Sequence, residues 1–125
     1  MGLPIICLDF DGVLHSFTSG HLHHRVIPDP PVSGAIKWLA SMIRYPSFKI
    51  YIYSARSRKF GGRRAMKRWL NKQFKLAGED HKLVKKLTFP LFKPPAFLTI
   101  DDRAMTFTGT FPSVNEIRSF KPWYQ

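Results

Sequence analysis

The sequence predicts an α/β fold, Rossmann-like, with three layers: a parallel sheet and helices on both of its faces. Three observations lead there. Short apolar runs recur at residues 5–8, 48–53 and 96–100, as expected of strands buried within a parallel sheet. Segments with apolar residues at helical spacing follow the first run and the second. Each run also ends in polar residues, at Asp9 and Asp11, at Ser54, and at Asp101 and Asp102. Right-handed crossovers between parallel strands bring all their carboxyl ends to one edge. The three polar clusters should therefore meet where open α/β sheets carry their sites.

A length of 125 residues fits a single domain, 1–125. Hydrophobic residues make up 44% and include 11 Phe, enough to build a core and to argue against extensive disorder. No apolar run approaches the roughly 18 residues of a membrane span. The first residues lack the basic and apolar regions of a signal peptide. Cys7 is the only cysteine, so no disulfide can form within the chain. A buried thiol without a partner fits a reducing, cytoplasmic setting.

The charge is lopsided. Twenty Lys and Arg face eight Asp and Glu, a formal net charge of +12. Four of the eight acids are Asp9, Asp11, Asp101 and Asp102. If these gather around a divalent cation, the remaining surface is almost purely cationic. Such a surface attracts polyanions, nucleic acid first among them. A basic protein with no polyanionic partner is the alternative.

Taken in order, residues 12–27 follow the first acids and alternate around Ser19-Gly20, which predicts a small hairpin flap over the site. Asp29 as N-cap and Pro30 as first helical residue open a helix. Val32, Ala35, Ile36, Leu39, Ala40 and Ile43 form its stripe, and Pro46 ends it. Gly61-Gly62 precede a second helix, 63–76, buried through Met66, Trp69, Leu70 and Phe74. Gly78 to Asp80 make a turn, 81–86 a helical turn and 87–89 a short edge strand. Ser113 and Glu116 form a capping box that starts a last short helix, to about 119. Phe120, Trp123 and Tyr124 dock the tail. Neither a repeat nor an internal linker interrupts the chain.

These residues resemble the haloacid dehalogenase-like (HAD) phosphohydrolase superfamily over roughly 3–112. Its first motif, a hydrophobic run then Asp-x-Asp-Gly, is matched by Ile6 to Val13. Its second, a strand ending in Ser or Thr, is matched by Tyr53-Ser54, and its fourth by Ile100-Asp101-Asp102. Ser54-x-Arg56 and Ile100 to Arg103 are also similar to the phosphatase domain of polynucleotide kinase-phosphatases. The resemblance implies that Asp9 attacks phosphorus to give an aspartyl-phosphate. Asp11 would protonate the leaving oxygen and then deprotonate water. The Asp9 side chain, the Asp11 backbone carbonyl and Asp101 would hold Mg²⁺, with Asp102 acting directly or through water. Ser54 would donate to a phosphate oxygen. The third motif requires a lysine, and Lys93 is the favoured candidate, with Lys82, Lys85 and Lys86 as alternatives. Lys93 precedes a strand of five residues, about 16 Å long, so it reaches the site only if residues 90–95 double back.

The intervals from Asp11 to Ser54 and from Ser54 to Asp101 hold no cap domain. A capless member of this superfamily has an open site suited to large substrates. Nine Lys or Arg and no acid lie between Arg56 and Lys75. Arg56, Arg58, Lys59, Arg63 and Arg64 are expected to track a phosphate backbone at the start of the second helix. Ser54, Ala55 and Arg103 complete the expected substrate contacts. His21, His23 and His24 read as a polar flap near the substrate, with transition-metal binding as the alternative. The expected activity is a Mg²⁺-dependent phosphatase acting on terminal phosphates of nucleic acid. A mononucleotide phosphatase and a non-catalytic nucleic-acid-binding module are the competing readings. A phosphorylated nucleic acid or nucleotide is the expected partner, with no membrane and no obligatory protein.

Overall fold

The computed structural model describes residues 2–125. The elements run β1 (Ile5–Leu8), α1 (Ala35–Arg44), β2 (Lys49–Ile52), α2 (Gly62–Leu76), a 3₁₀ segment (His81–Lys86), β3 (Leu98–Ile100) and α3 (Val114–Arg118). The three strands form one parallel sheet in the order β2-β1-β3. The central strand is thus the one that ends at Asp9. Beyond β2, the expected edge strand at 87–89 is a single parallel bridge between Tyr51 and Thr88. Pro90 follows at once and cannot extend a ladder.

The register aligns Ile6 with Ile50 and Leu98, and Leu8 with Ile52 and Ile100. Side chains alternate along a strand, so these even positions share one face. Ile6, Leu8, Ile50 and Ile52 are buried in one cluster with Leu39 and Ala40 of α1, Met66, Leu70 and Phe74 of α2, and Leu83 and Val84. Handedness explains why α1 and α2 enter the same cluster. The steps from β1 to β2 and from β2 to the Thr88 bridge go the same way across the sheet, so right-handed crossovers place both helices on one face. Of the helices expected on both faces, α1 and α2 therefore share this one.

The opposite face carries Cys7, Tyr51 and Thr99. Parallel to β2, the chain leaves Thr88 toward the carboxyl edge and must then return. Phe97 N–H donates to Ile5 O at 2.9 Å, at the other end of β1. Residues 94–97 therefore descend the sheet before β3 rises. Four extended residues cover about 13–14 Å, enough for that descent.

α1 begins later than Asp29-Pro30 predicts. Its N-cap is Gly34, at φ 80°. Residues 30–32 are instead extended against 14–16: Ser16 N–H donates to Pro30 O, Val32 N–H to Leu14 O, and His15 bridges Pro31. An extended pairing and a helical turn cannot share the same backbone groups. The carboxylate of Asp29 accepts from the Ser19 backbone N–H and hydroxyl. The predicted flap hairpin is held by isolated bridges, such as His23 with Val26, rather than by paired strands. The Ser113 cap forms as expected, accepting from Glu116 N–H at 3.1 Å. Among the described residues, no helix is long and apolar enough to cross a membrane.

Candidate active site

Asp9 continues β1 by one residue. Its N–H donates to Ile100 O at 2.9 Å, which sets it beside the end of β3. Phe10 is fully buried, edge-on to Trp69 at 5.2 Å, and its carbonyl accepts from Leu14 and His15 N–H. The loop therefore turns tightly around an anchored aromatic. Gly12 makes the turn at φ 83°, where a Cβ would collide with the Asp102 carboxylate and lie 2.8 Å from the Tyr124 ring. Both the conformation and the space require glycine.

One carboxylate oxygen each from Asp9, Asp101 and Asp102 lies within 4.8 Å of the others. Burial, with the hydrogen bond that its protonated form donates to Asp102 behind it, pushes the Asp9 carboxyl up to about 8. Burial also acts to raise Asp102, but hydrogen bonds from Asp9 and Tyr124 outweigh it and hold that group below its ordinary value. Asp9 thus takes the proton that the crowded acids share. Converging hard oxygen donors with surplus negative charge fit a divalent cation such as Mg²⁺. Among the described residues this is the one group of three or more His, Cys, Asp or Glu able to hold a metal. His21, His23 and His24 do not form a second such group.

A cavity of about 160 Å³ opens beside Asp9 and Asp101 and is lined also by Cys7, Tyr53, Ser54, Ala55, Lys93 and Thr99. Lys93 is its only cation. The lysine reaches it because the chain is still at the carboxyl edge at residue 93 and descends only afterwards. Lys82, Lys85 and Lys86 belong to the 3₁₀ segment, which packs on α1 and α2. Ser54 is buried, and its Oγ accepts from Arg56 N–H at 3.2 Å. Its hydroxyl proton remains available to a ligand. Cys7 is also part of this wall, and burial pushes its thiol above the ordinary range.

Asp11 lies outside that lining, held by two partners. Arg56 grips its carboxylate with two bonds, Nε at 2.8 Å and Nη2 at 3.1 Å. His15 Nδ1 approaches it at 2.8 Å. The His15 Nε2 accepts Asp29 N–H at 3.1 Å, so Nδ1 carries the proton and donates to Asp11. Burial acts to raise the Asp11 pKa, but the bonds from His15 and Arg56 prevail and hold it below the ordinary carboxylate value.

Arg56 corrects the sequence reading. It is 1% exposed, and its Nη1 donates to the carbonyls of His23, His24 and Val26 at 3.0 Å each. It staples the flap to the loop after β1 instead of facing a substrate backbone. Buried His15, the other residue that holds Asp11, carries no distinctive motif; its position four residues after Asp11 was the available signal.

The other expected basic residues line a second cavity, of about 680 Å³. Arg58, Lys59, Arg63 and Arg64 are there with Arg25, Lys67 and Arg68, and no lining residue is acidic. Arg63 also donates to Phe89 O at 3.1 Å. One tight turn separates the two cavities, with Ser54 and Ala55 on one side and Ser57 on the other. Ser54 N–H donates to Ser57 Oγ at 3.0 Å across that turn. Arg103 stands apart, next to Asp101, its guanidinium 3.5 Å from the Tyr124 hydroxyl. Trp123 reaches the loop after β1 through a hydrogen bond to Gly12, and Tyr124 reaches the loop after β3 through one to Asp102.

No curated protein and no solved structure matches the chain significantly. A family model does, over residues 5–115, and its description is the HAD domain in Swiss Army Knife RNA repair proteins. The match spans all three strands and every acid of the site, and the chain belongs to this family of HAD-type phosphohydrolase domains.

Proposed function

We propose that the chain is a Mg²⁺-dependent phosphomonoester hydrolase that removes terminal phosphates from nucleic acid, RNA foremost, through an aspartyl-phosphate. The observation that carries this reading is the pairing of two cavities across one turn. One holds Asp9, Ser54, Lys93 and Asp101; the other is larger, lined by seven Lys or Arg and free of acids. The first suits a phosphoryl group and the second a polyanionic chain leading to it. The RNA-repair description of the family agrees with that division.

The chemistry follows from the residues. Asp9, Asp101 and Asp102, with the Asp11 carbonyl, would hold the cation. Bound there, it would supply the positive charge that keeps Asp9 ionised and lets it approach an anionic phosphate. An Asp9 oxygen attacks phosphorus, the bond to the leaving oxygen breaks, and Asp11 gives that oxygen a proton. Ser54 and Lys93 donate to the phosphoryl oxygens as they move. Asp11 then takes a proton from water, whose oxygen attacks phosphorus and frees both inorganic phosphate and Asp9. In the first step Asp11 must carry its proton against the pull of Arg56 and His15, and in the second the same two residues favour the ionised form that the step needs.

Incubation of 5′- and 3′-phosphorylated RNA and DNA oligonucleotides with Mg²⁺ tests the reading. Phosphate should be released, a chelator should stop the release and added Mg²⁺ should restore it. Asp9→Asn should abolish it. Absence of release from every nucleic-acid end would refute the substrate assignment. Mononucleotides preferred over oligonucleotides would point to a nucleotidase. Salt-sensitive binding with neither turnover nor aspartyl-phosphate would point to a binding module.

A further inference from the structure

Residues 122–125 close on the loop after β1 from 111 positions away in sequence. The Trp123 indole Nε1–H donates to Gly12 O at 2.7 Å. The Tyr124 hydroxyl donates to Asp102 Oδ2 at 2.7 Å, and its ring stands edge-on to Phe17, 6.2 Å away. Pro122 is buried beneath them. The segment is therefore fixed on both sides of the acids, against the loop after β1 and the loop after β3. All four residues lie beyond the 5–115 range of the family match.

Trp123 is anchored yet uncovered. Its single polar atom is engaged by Gly12, while 63% of the residue remains exposed. An indole held rigidly on Gly12, which itself packs against the Asp102 carboxylate, offers a large flat apolar surface at little cost in lost side-chain freedom. The surroundings identify what can cover it. The chain carries a net +12 charge, and the phosphoryl cavity lies beside the same loop. A nucleobase stacks on any aromatic face without regard to its sequence identity.

We infer that Trp123 is a stacking platform for the nucleobase next to the scissile phosphate, with Tyr124 holding the platform in register through Asp102. The inference rests on the nucleic-acid reading above and adds a base-binding surface to it. The nucleotide bearing the terminal phosphate places its phosphoryl group at Asp9 and its base on the indole. The neighbouring phosphates then run into the basic cavity.

Two phosphorylated oligonucleotides of equal length and charge test this, one with a base on the terminal nucleotide and one abasic there. Their affinities are measured by fluorescence anisotropy in an Asp9→Asn background, which prevents turnover. The base-bearing oligonucleotide should bind tighter by about 5- to 150-fold, the range of aromatic–base stacking. Trp123→Ala should bring that ratio to near one. Trp123→Phe, which keeps a ring but loses the bond to Gly12, should retain part of it. A ratio unchanged by Trp123→Ala, or a ratio near one in the Trp123 protein, would overturn the inference. Failure of the substrate reading looks different: the Asp9 protein would release no phosphate from either oligonucleotide. Release from both oligonucleotides together with equal affinities would leave the nucleic-acid reading intact and remove only the Trp123 platform.

Discussion

At the scale of single residues, the proposed chemistry depends on how Asp11 is held. Arg56 and His15 fix its carboxylate from two directions, and the same guanidinium ties down three flap carbonyls. Arg56→Ala would leave Asp11 without its main partner and those carbonyls without a donor. The expected cost is ~3 kcal/mol of stability, measured by urea denaturation, together with loss of phosphate release. Arg56→Lys should not rescue it, because an ammonium cannot make the two-pronged contact. Lys93→Ala should leave the fold intact and lower kcat by about 10- to 1,000-fold, as expected when one donor to a developing charge is removed. Sequence counting treats Arg56 as one of nine cations in a basic stretch. Its burial depends on the flap folding over it, which no local pattern encodes.

At the scale of elements, the starts of α1 and α2 decide what the site receives. Gly62 opens α2 with no room for a side chain: a Cβ there would collide with the Arg56 carbonyl oxygen. Gly62→Ala must push the 54–57 turn away from the helix, moving Ser54 and Arg56 together. Loss of stability and of phosphate release in one step is the expected outcome, read by thermal melting and by activity. Asp29 behaves differently. Its hydrogen bonds from Ser19 hold its carboxyl below the ordinary value. A depressed folded-state pKa contributes stability that is present above the unfolded value of about 3.9 and lost as pH falls through the folded value. Asp29→Asn should therefore be less stable than Asp29 protein at pH 6, and the gap should begin to narrow as pH falls below about 4. Denaturant titrations across pH 3 to 6 would read this directly. Asp29 looks like a helix cap because Asp followed by Pro is a common helix opening. Pairing of 30–32 with 14–16 defeats that local preference, since it satisfies more backbone groups than a cap does.

At the scale of the whole molecule, charge separates into two regions. The acids meet at the end of the central strand, while Arg58, Arg64 and their neighbours surround an acid-free cavity one turn away. Oligonucleotide affinity should therefore fall with salt, at a slope near −0.7 for each phosphate contacted on a single strand. Arg58→Ala or Arg64→Ala should reduce that slope by about 0.7 and weaken binding alike for all sequences. A slope unaffected by either change would place the polyanion elsewhere. Strand order matters as much as charge here. Because β1 is central, Asp9 has β2 and Ser54 on one side and β3 and Asp101 on the other.

The strands, the second helix, the Ser113 cap and the convergence of Asp9, Ser54 and Asp101 were all legible in the residues themselves. The physical reason is that apolar runs, helical periodicity and parallel crossovers are local or topological rules, insensitive to distant contacts. Three features depended on long-range packing. Lys93 enters the site because the chain after Thr88 is still at the carboxyl edge. Arg56 leaves the surface because the flap supplies three carbonyls and Asp11 an ion pair. Trp123 and Tyr124 come to the acids from the far end of the described chain, where the tail docks on Gly12 and Asp102. Each of these is a meeting of segments remote in sequence, and their contact exists only once the sheet has set the distances between them.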